Sequence, residues 1–209
     1  MKNSVNICNA ALTRLGADQI ITLDENTRNA QLCNAQFDHL RKLLQETGYF
    51  AFCTKRAIWD EPSSVVGDPA WQYANAYVIP PETKVLRMQQ PRTDCNPYEY
   101  PDIEWAEESG KALCDANPVY VTMVEEISTP LNFPHHFTEV LVSRLAAEIC
   151  IAITQSQNMH SLLYAEYERR LEDAKFSDNN YRTNMRGSAY RRPEPVGRLT
   201  SSRFGGGYK

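Results

Sequence analysis

The sequence is short of the patterns by which a chain declares a chemistry. No apolar run comes near the length of about 18 residues that a membrane-spanning helix needs. The N-terminus, MKNSVNICNAALTRLG, has one Lys followed by a helical pattern containing Asn and Arg, which is no signal peptide, so synthesis in the cytosol is expected. Cysteine is present but never closely spaced. No two of Cys8, Cys33, Cys53, Cys95, Cys114 and Cys150 lie within four residues of each other, which excludes C-x-x-C metal and redox motifs. Reduced and mostly buried thiols are expected, not a disulfide framework. His135-His136 follows Pro134 at a helix start, but with His39 and His160 it forms no metal-ligand spacing. No metal and no cofactor is expected.

Catalytic signatures are equally scarce. There is no G-x-S-x-G, and Cys53 and Cys150 sit among aromatic and apolar neighbours where a thiol reads as core. Gly205-Gly206-Gly207 has no preceding strand and no following Lys-Ser/Thr, so it is not a phosphate loop. Of the paired carboxylates, Glu107-Glu108 and Glu125-Glu126, the second pair falls on a strand pattern that sends neighbours to opposite faces. A glycan hydrolase, whose two carboxylates come from anywhere in a chain, remains a third reading. A non-enzymatic role is expected.

What is present is ordinary globular material with an uneven charge. At 42% hydrophobic and 23% charged, the 209 residues suffice for one large domain or two small ones. From Tyr181 onward, six Arg and Lys209 face one acid, Glu194. The tail therefore carries +6 and the preceding 180 residues −10. An acidic body with an arginine-rich arm is the main electrostatic feature.

The organising stretch is Asn26 to Ala57. Ala30, Cys33, Phe37, Leu40 and Leu44 step by three and four, one face of a long helix capped by Asn26 or Thr27. It stops at Gly48 and runs into the aromatic plug Tyr49-Phe50-Ala51-Phe52. Before it, residues 4–15 form a short helix with Ser4 as N-cap and Gly16 after its end, and Ala17 to Glu25 form an extended link. From Ile58 to about Pro134 the composition turns to Pro, Gly, Tyr and Val. Strands are expected over Gln72–Ile79, Lys84–Met88 and Val119–Ile127, with a weaker one at Ile103–Ala106 pairing with Ala112–Cys114. Pro134 opens a second helical half. Phe137, Val140, Leu141, Leu145, Ile149 and Ile153 form one stripe. After a break at Gln155–Asn158, Met159, Leu163, Tyr167 and Leu171 form another, making an antiparallel hairpin with Glu166, Glu168, Arg169, Arg170, Glu172 and Asp173 as solvated charge. From Ser177 the periodicity ends, and alone that segment should be disordered.

The fold class expected is α+β. A bundle of about four helices over 1–57 and 134–176, with the first long helix at its centre, is interrupted by a small antiparallel β-domain over 58–133. It continues into an extended basic arm over 177–209. Trp71, Tyr73, Tyr77 and Trp105 read either as β-domain core or as an interface. The arm has two functional readings. Its Arg residues, interleaved with Tyr181, Tyr190, Phe204 and Tyr208, suit phosphate contact and base stacking, which makes a nucleic-acid-binding module. They equally suit an arm that orders on docking to a protein. A solvated tail without a role is the bland reading. The acidic body counts against nucleic acid.

The order of these features resembles the tail tubular protein A family, the head-to-tail adaptors of short-tailed bacteriophages. The resemblance is carried by NAALTRLGADQIITLDENTRNAQLCNAQFDHLRKLLQETGYFAF, FPHHFTEVLVSRLAAEICIAITQ and LLYAEYERRLEDAK, about half the chain. It implies a structural virion protein at the head–tail junction, assembled in the host cytoplasm. The protein would form a homo-oligomeric ring, a dodecamer, between the portal protein and a tail nozzle of the tail tubular protein B kind. Genomic DNA would pass through without sequence-specific binding, and no membrane would be involved. Under that resemblance the portal-binding arm comprises Tyr181, Arg182, Arg186, Tyr190, Arg191, Arg192, Arg198, Arg203 and Phe204. The nozzle-facing candidates are Trp71, Tyr73, Tyr77 and Trp105, and the subunit–subunit candidates are Gln31, Asn34 and Gln36.

Overall fold

A computed structural model describes residues 3–62, 72–79, 84–89, 91–93 and 103–187, with side chains up to residue 180 in the last helix. Among the described residues four α-helices and six short strands make an α+β fold: α1 (Ser4–Arg14), α2 (Arg28–Gly48), β1 (Thr54–Trp59), β2 (Asn75–Val78), β3 (Val85–Met88), β4 (Trp105–Glu108), β5 (Lys111–Cys114), β6 (Val119–Glu125), α3 (His135–Thr154) and α4 (Gln157–Gly187).

Local chemistry sets the helix ends. Asn3, not the expected Ser4, caps α1 by accepting from the Asn6 N–H at 2.7 Å. At the other end Gly16 takes a left-handed φ of 66°. Its N–H donates to the Thr13 carbonyl and the Ala17 N–H to the Leu12 carbonyl, a Schellman close. The link that follows is held by the Asn9 amide, which accepts from Ile20 N–H and donates to Ile20 C=O. Ile20 is thereby buried while Ile21 is 86% exposed.

Thr27 caps α2 through the Ala30 N–H. The left-handed residue after α2 is Tyr49, so Gly48 is not there for its φ. A Cβ on Gly48 would fall 2.3 Å from Cε2 of Phe50, whose ring is fully buried against Phe137 at a centroid distance of 5.2 Å. Gly48→Ala is expected to destabilise the fold by about 1–3 kcal/mol through this overpacking, read as a lowered midpoint in urea. The aromatic plug packs as its composition suggests: Phe52 lies 4.8 Å from Phe137 and 6.0 Å from Phe133.

The centre of the bundle is α3, a correction to the expectation that α2 holds that place. α3 packs on α1, α2 and α4, and its buried residues, from Phe137 through Ser143 and Ala147 to Cys150, lie on every side. The small side chains Ser143, Ala146 and Ala147 let neighbours approach on the sides that Leu and Phe do not fill. Left-handed Gln155 ends α3, and Ser156 caps α4 by accepting from Met159 N–H, so the break is tighter than expected. The two helices are antiparallel, because His136 meets Asp178, Glu139 meets Arg170 and Arg144 meets Tyr167.

β1 was not legible as a strand, and the expected boundary between residues 57 and 58 falls inside it. Two three-stranded antiparallel sheets form, ordered β1-β6-β3 and β2-β5-β4. β6 ends at Glu125, two residues short of expectation. β2 spans only Asn75–Val78, and β3 starts after left-handed Lys84. The weak strand lies at Trp105–Glu108 and pairs with β5 as foreseen, through a two-residue turn in which Ser109 and Gly110 both have positive φ. The sheets enclose a second core of Tyr77, Met88, Val119, Val121 and Met123. Val124, on the other face of β6, belongs to the helical core.

Candidate interaction surfaces

The largest departure from the sequence reading lies in α4. The helix runs 31 residues to Gly187, beyond the expected end near Lys175. The segment over 177–187, read as the start of an extended and disordered arm, is therefore helical. Tyr181, Arg182 and Arg186 lie on this helix. Tyr190, Arg191, Arg192, Arg198, Arg203 and Phe204 lie outside the described residues.

Asp178 accounts for the added length. It is 6% exposed, and both carboxylate oxygens accept from the Ala51 N–H, at 3.0 and 3.1 Å. Ala51 opens the 3-10 turn Ala51–Cys53, so a carboxylate meets the free N–H groups and positive end of a helical turn. Nε2 of His136 is buried 3.7 Å from the same carboxylate, beyond hydrogen-bond length. A signal for Asp178 existed: it lies four residues after Ala174 and seven after Leu171, in phase with the apolar stripe.

Two members of the expected solvated face of α4 are drawn inward. Arg170 donates to Glu166 at 2.8 Å and to Glu139 at 2.6 Å, and Arg14 of α1 donates to Glu139 at 3.0 Å and to Ser143 at 2.6 Å. This alternating Arg–Glu quartet ties α1, α3 and α4 together. Higher on the hairpin, the Arg144 guanidinium lies 5.2 Å from both the Tyr164 and Tyr167 rings and pairs with Glu148. Burial pushes the Tyr167 hydroxyl above its usual range. Glu168, Arg169, Glu172 and Asp173 stay exposed, together with Leu162 (74%) and Phe176 (70%).

The aromatic candidates of the β-domain divide. Tyr77 is fully buried, stacks on Trp59 and donates its hydroxyl to the Ala116 carbonyl at 2.8 Å, which removes it from any nozzle-facing surface. Trp105 and Tyr73 are half-buried, Trp105 against the β-domain core. Trp71 lies outside the described residues. On α2, Gln31 and Asn34 are exposed and Gln36 is half-buried.

Where α2 meets the β-domain, Arg41 and Gln45 are buried. Gln45 both accepts from the Ile127 N–H and donates to the Ile127 carbonyl, like a neighbouring strand. Arg41 donates to Glu126 at 2.7 Å and to the Ile127 carbonyl at 2.9 Å. The Arg41 hydrogen bond holds the Glu126 carboxyl below its ordinary range, against the opposing effect of burial. Glu125 points the other way, to Lys55 at 3.4 Å, so the two adjacent acids serve separate structural pairs.

Five thiols, Cys8, Cys33, Cys53, Cys114 and Cys150, are free and buried, as composition suggested; Cys95 lies outside the described residues. A hydrogen bond with Cys33, reinforced by burial, raises the Cys8 thiol far above its usual range, so it stays protonated. Among the described residues no group of three or more His, Cys, Asp or Glu is arranged to hold a metal ion, and no helix is long and apolar enough to cross a membrane. Compared with known proteins, the chain matches no family model and no curated protein.

Proposed function

We propose that the chain is a structural, non-enzymatic head-to-tail adaptor of a short-tailed phage, assembling as a ring between portal and nozzle in the virion. The observation that carries this reading is the order of elements around one rod. A short helix, a long helix with its aromatic plug, a β-insertion and the α3–α4 hairpin follow one another; α4 runs unbroken to Gly187, and the rest of the arginine-rich segment follows it in a chain whose first 180 residues are acidic. That body suits a channel wall along which DNA must slide without being gripped. In this reading the residues after Gly187 clasp the portal. Trp105 and Tyr73 remain available for the nozzle, and the uncharged polar strip of Gln31 and Asn34 on α2 is one surface for a neighbouring subunit.

The test is to mix the purified full-length chain with the portal protein and image the product. Rings seated on the portal are expected, and truncation after Gly187 should abolish docking while leaving the circular dichroism unchanged. If the full-length chain does not bind the portal, the adaptor reading fails. Salt-sensitive gel shifts lost on the same truncation would favour the nucleic-acid-binding arm instead.

A further inference from the structure

The outer face of the β1-β6-β3 sheet carries a feature that the acidic body as a whole conceals. Cross-strand register places Arg56 opposite Thr122, Ile58 opposite Tyr120, and Arg92 opposite the same Tyr120 from the far side. Arg87 sits opposite Val124 and lies 5.0 Å over the Tyr49 ring. Residues directly opposite in an antiparallel ladder share a face, so three arginines, an isoleucine and a tyrosine lie on one side of one sheet. The Val124 end of that face is covered by the helical core, whereas Arg56 is exposed and Ile58 is 58% exposed. Among the described residues none of the three arginines forms an ion pair.

The outer face of α4 is its opposite in charge and alike in shape. Glu168 and Glu172 are exposed and form no ion pair among the described residues, and they lead at four-residue steps to Phe176. Along a helix that step is about 6 Å; along β1 the two-residue step from Arg56 to Ile58 is about 7 Å. A cation followed by an apolar anchor on the sheet thus matches an anion followed by an apolar anchor on the helix.

We infer that the β1-β6-β3 sheet face of one copy docks on the α4 outer face of a second copy, with Arg56 and Arg92 against Glu168 and Glu172, and Ile58 near Phe176. The two patches are unlike, so the contact is heterologous and propagates head to tail until it closes into a ring. Charge decides between a second copy and nucleic acid as the occupant. A body at −10 repels a polyanion, while its own α4 carries the unpaired acids that the sheet face lacks. This inference rests on the ring reading, and it adds a charged contact of defined partners to the uncharged strip on α2.

The experiment uses charge reversal in the full-length chain, followed by sedimentation velocity alone and on the portal. Arg56→Glu with Arg92→Glu should weaken self-association about tenfold or more, and Glu168→Lys with Glu172→Lys should do the same. Mixing the two variants should restore association, because each supplies the face the other has lost. Arg56→Glu alone, at an exposed site, guards against a folding defect, and unchanged circular dichroism checks it. Association untouched by either reversal, no rescue on mixing, or a wild-type chain that stays monomeric both alone and on the portal would overturn the inference. So would loss of DNA binding, with no change in association, in the sheet variant. Self-association that follows the charges without portal binding would sink the adaptor reading and leave this interface standing.

Discussion

Replacing Arg41 with methionine is expected to destabilise the protein by about 3–5 kcal/mol, the usual cost of removing one partner from a buried ion pair. The guanidinium is almost wholly buried and donates to the Glu126 carboxylate, the Ile127 carbonyl and, at 3.3 Å, the exposed Asp38 carboxylate. Methionine keeps the volume but leaves Glu126, whose side chain is 11% exposed, with Lys42 at 3.7 Å as its one ion pair among the described residues and the weaker field of Lys84. The carbonyl retains its bond from Gln45, so most of the loss belongs to the stranded carboxylate. Urea denaturation checks the magnitude.

The pH dependence of the same pair has a definite sign. The folded Glu126 carboxyl titrates below its ordinary value of 4.5. The unfolded chain therefore binds the proton first as pH falls. The stabilisation is fully present above that ordinary value and is lost as pH drops through the lower, folded one. Arg41→Met should flatten this acid-side loss, because the main cause of the depression is gone. Parallel urea curves from neutral pH down through the carboxylate range would show it; equal acid-side slopes in both proteins would refute the assignment.

Truncation after Ser177 is expected to cost about 2–3 kcal/mol, whereas truncation after Gly187 should cost far less. The first cut removes Asp178 and with it one bifurcated, charge-assisted hydrogen bond from the Ala51 N–H, worth about 1.5–3 kcal/mol. It also uncovers the end of the aromatic plug, because Phe50 lies beside His136, which faces Asp178. The second cut leaves the Asp178–Ala51 bond and the packing of the aromatic plug in place. For a chain of this size the difference is roughly 4–12 °C in Tm. Asp178→Asn, which keeps an acceptor for Ala51, should fall between wild type and Asp178→Ala. Equal melting temperatures for the two truncations would show that the helix beyond Ser177 does not hold the body together. The result also bears on any assay of the arm, because a cut at Ser177 confounds loss of the arm with loss of the fold.

Much of the architecture was legible because it rests on strong periodic signals. The stripes of α2, α3 and the first half of α4 are apolar at every third or fourth position, and local caps at Thr27 and Gly16 mark where helices begin or end. The pairing of β4 with β5 was readable, although β4 runs on to Glu108, two residues beyond the expected Ala106. Edge strand β1 was not. Lys55 and Arg56 are exposed and Ile58 faces outward, so no alternation betrays it; only the ladder to β6 makes it a strand. The buried polar residues Arg41, Gln45 and Asp178 were passed over because a polar residue within an apolar stripe reads as an interruption. Its meaning depends on a partner far along the chain, 127 residues away for Asp178 and 82 for Gln45.

By itself the sequence determined the class of fold, the helical stripes, the reduced cysteines and the division into acidic body and basic tail. These follow from composition and short-range periodicity, which the chain carries wherever it is placed. Tertiary structure alone decided that α3 is the centre, that α4 continues past Ser177, and that Arg56, Arg87 and Arg92, far apart in the chain, lie on one side of the same sheet. Each of these depends on long-range register and on buried polar groups finding partners, and neither is written in any local window of the chain.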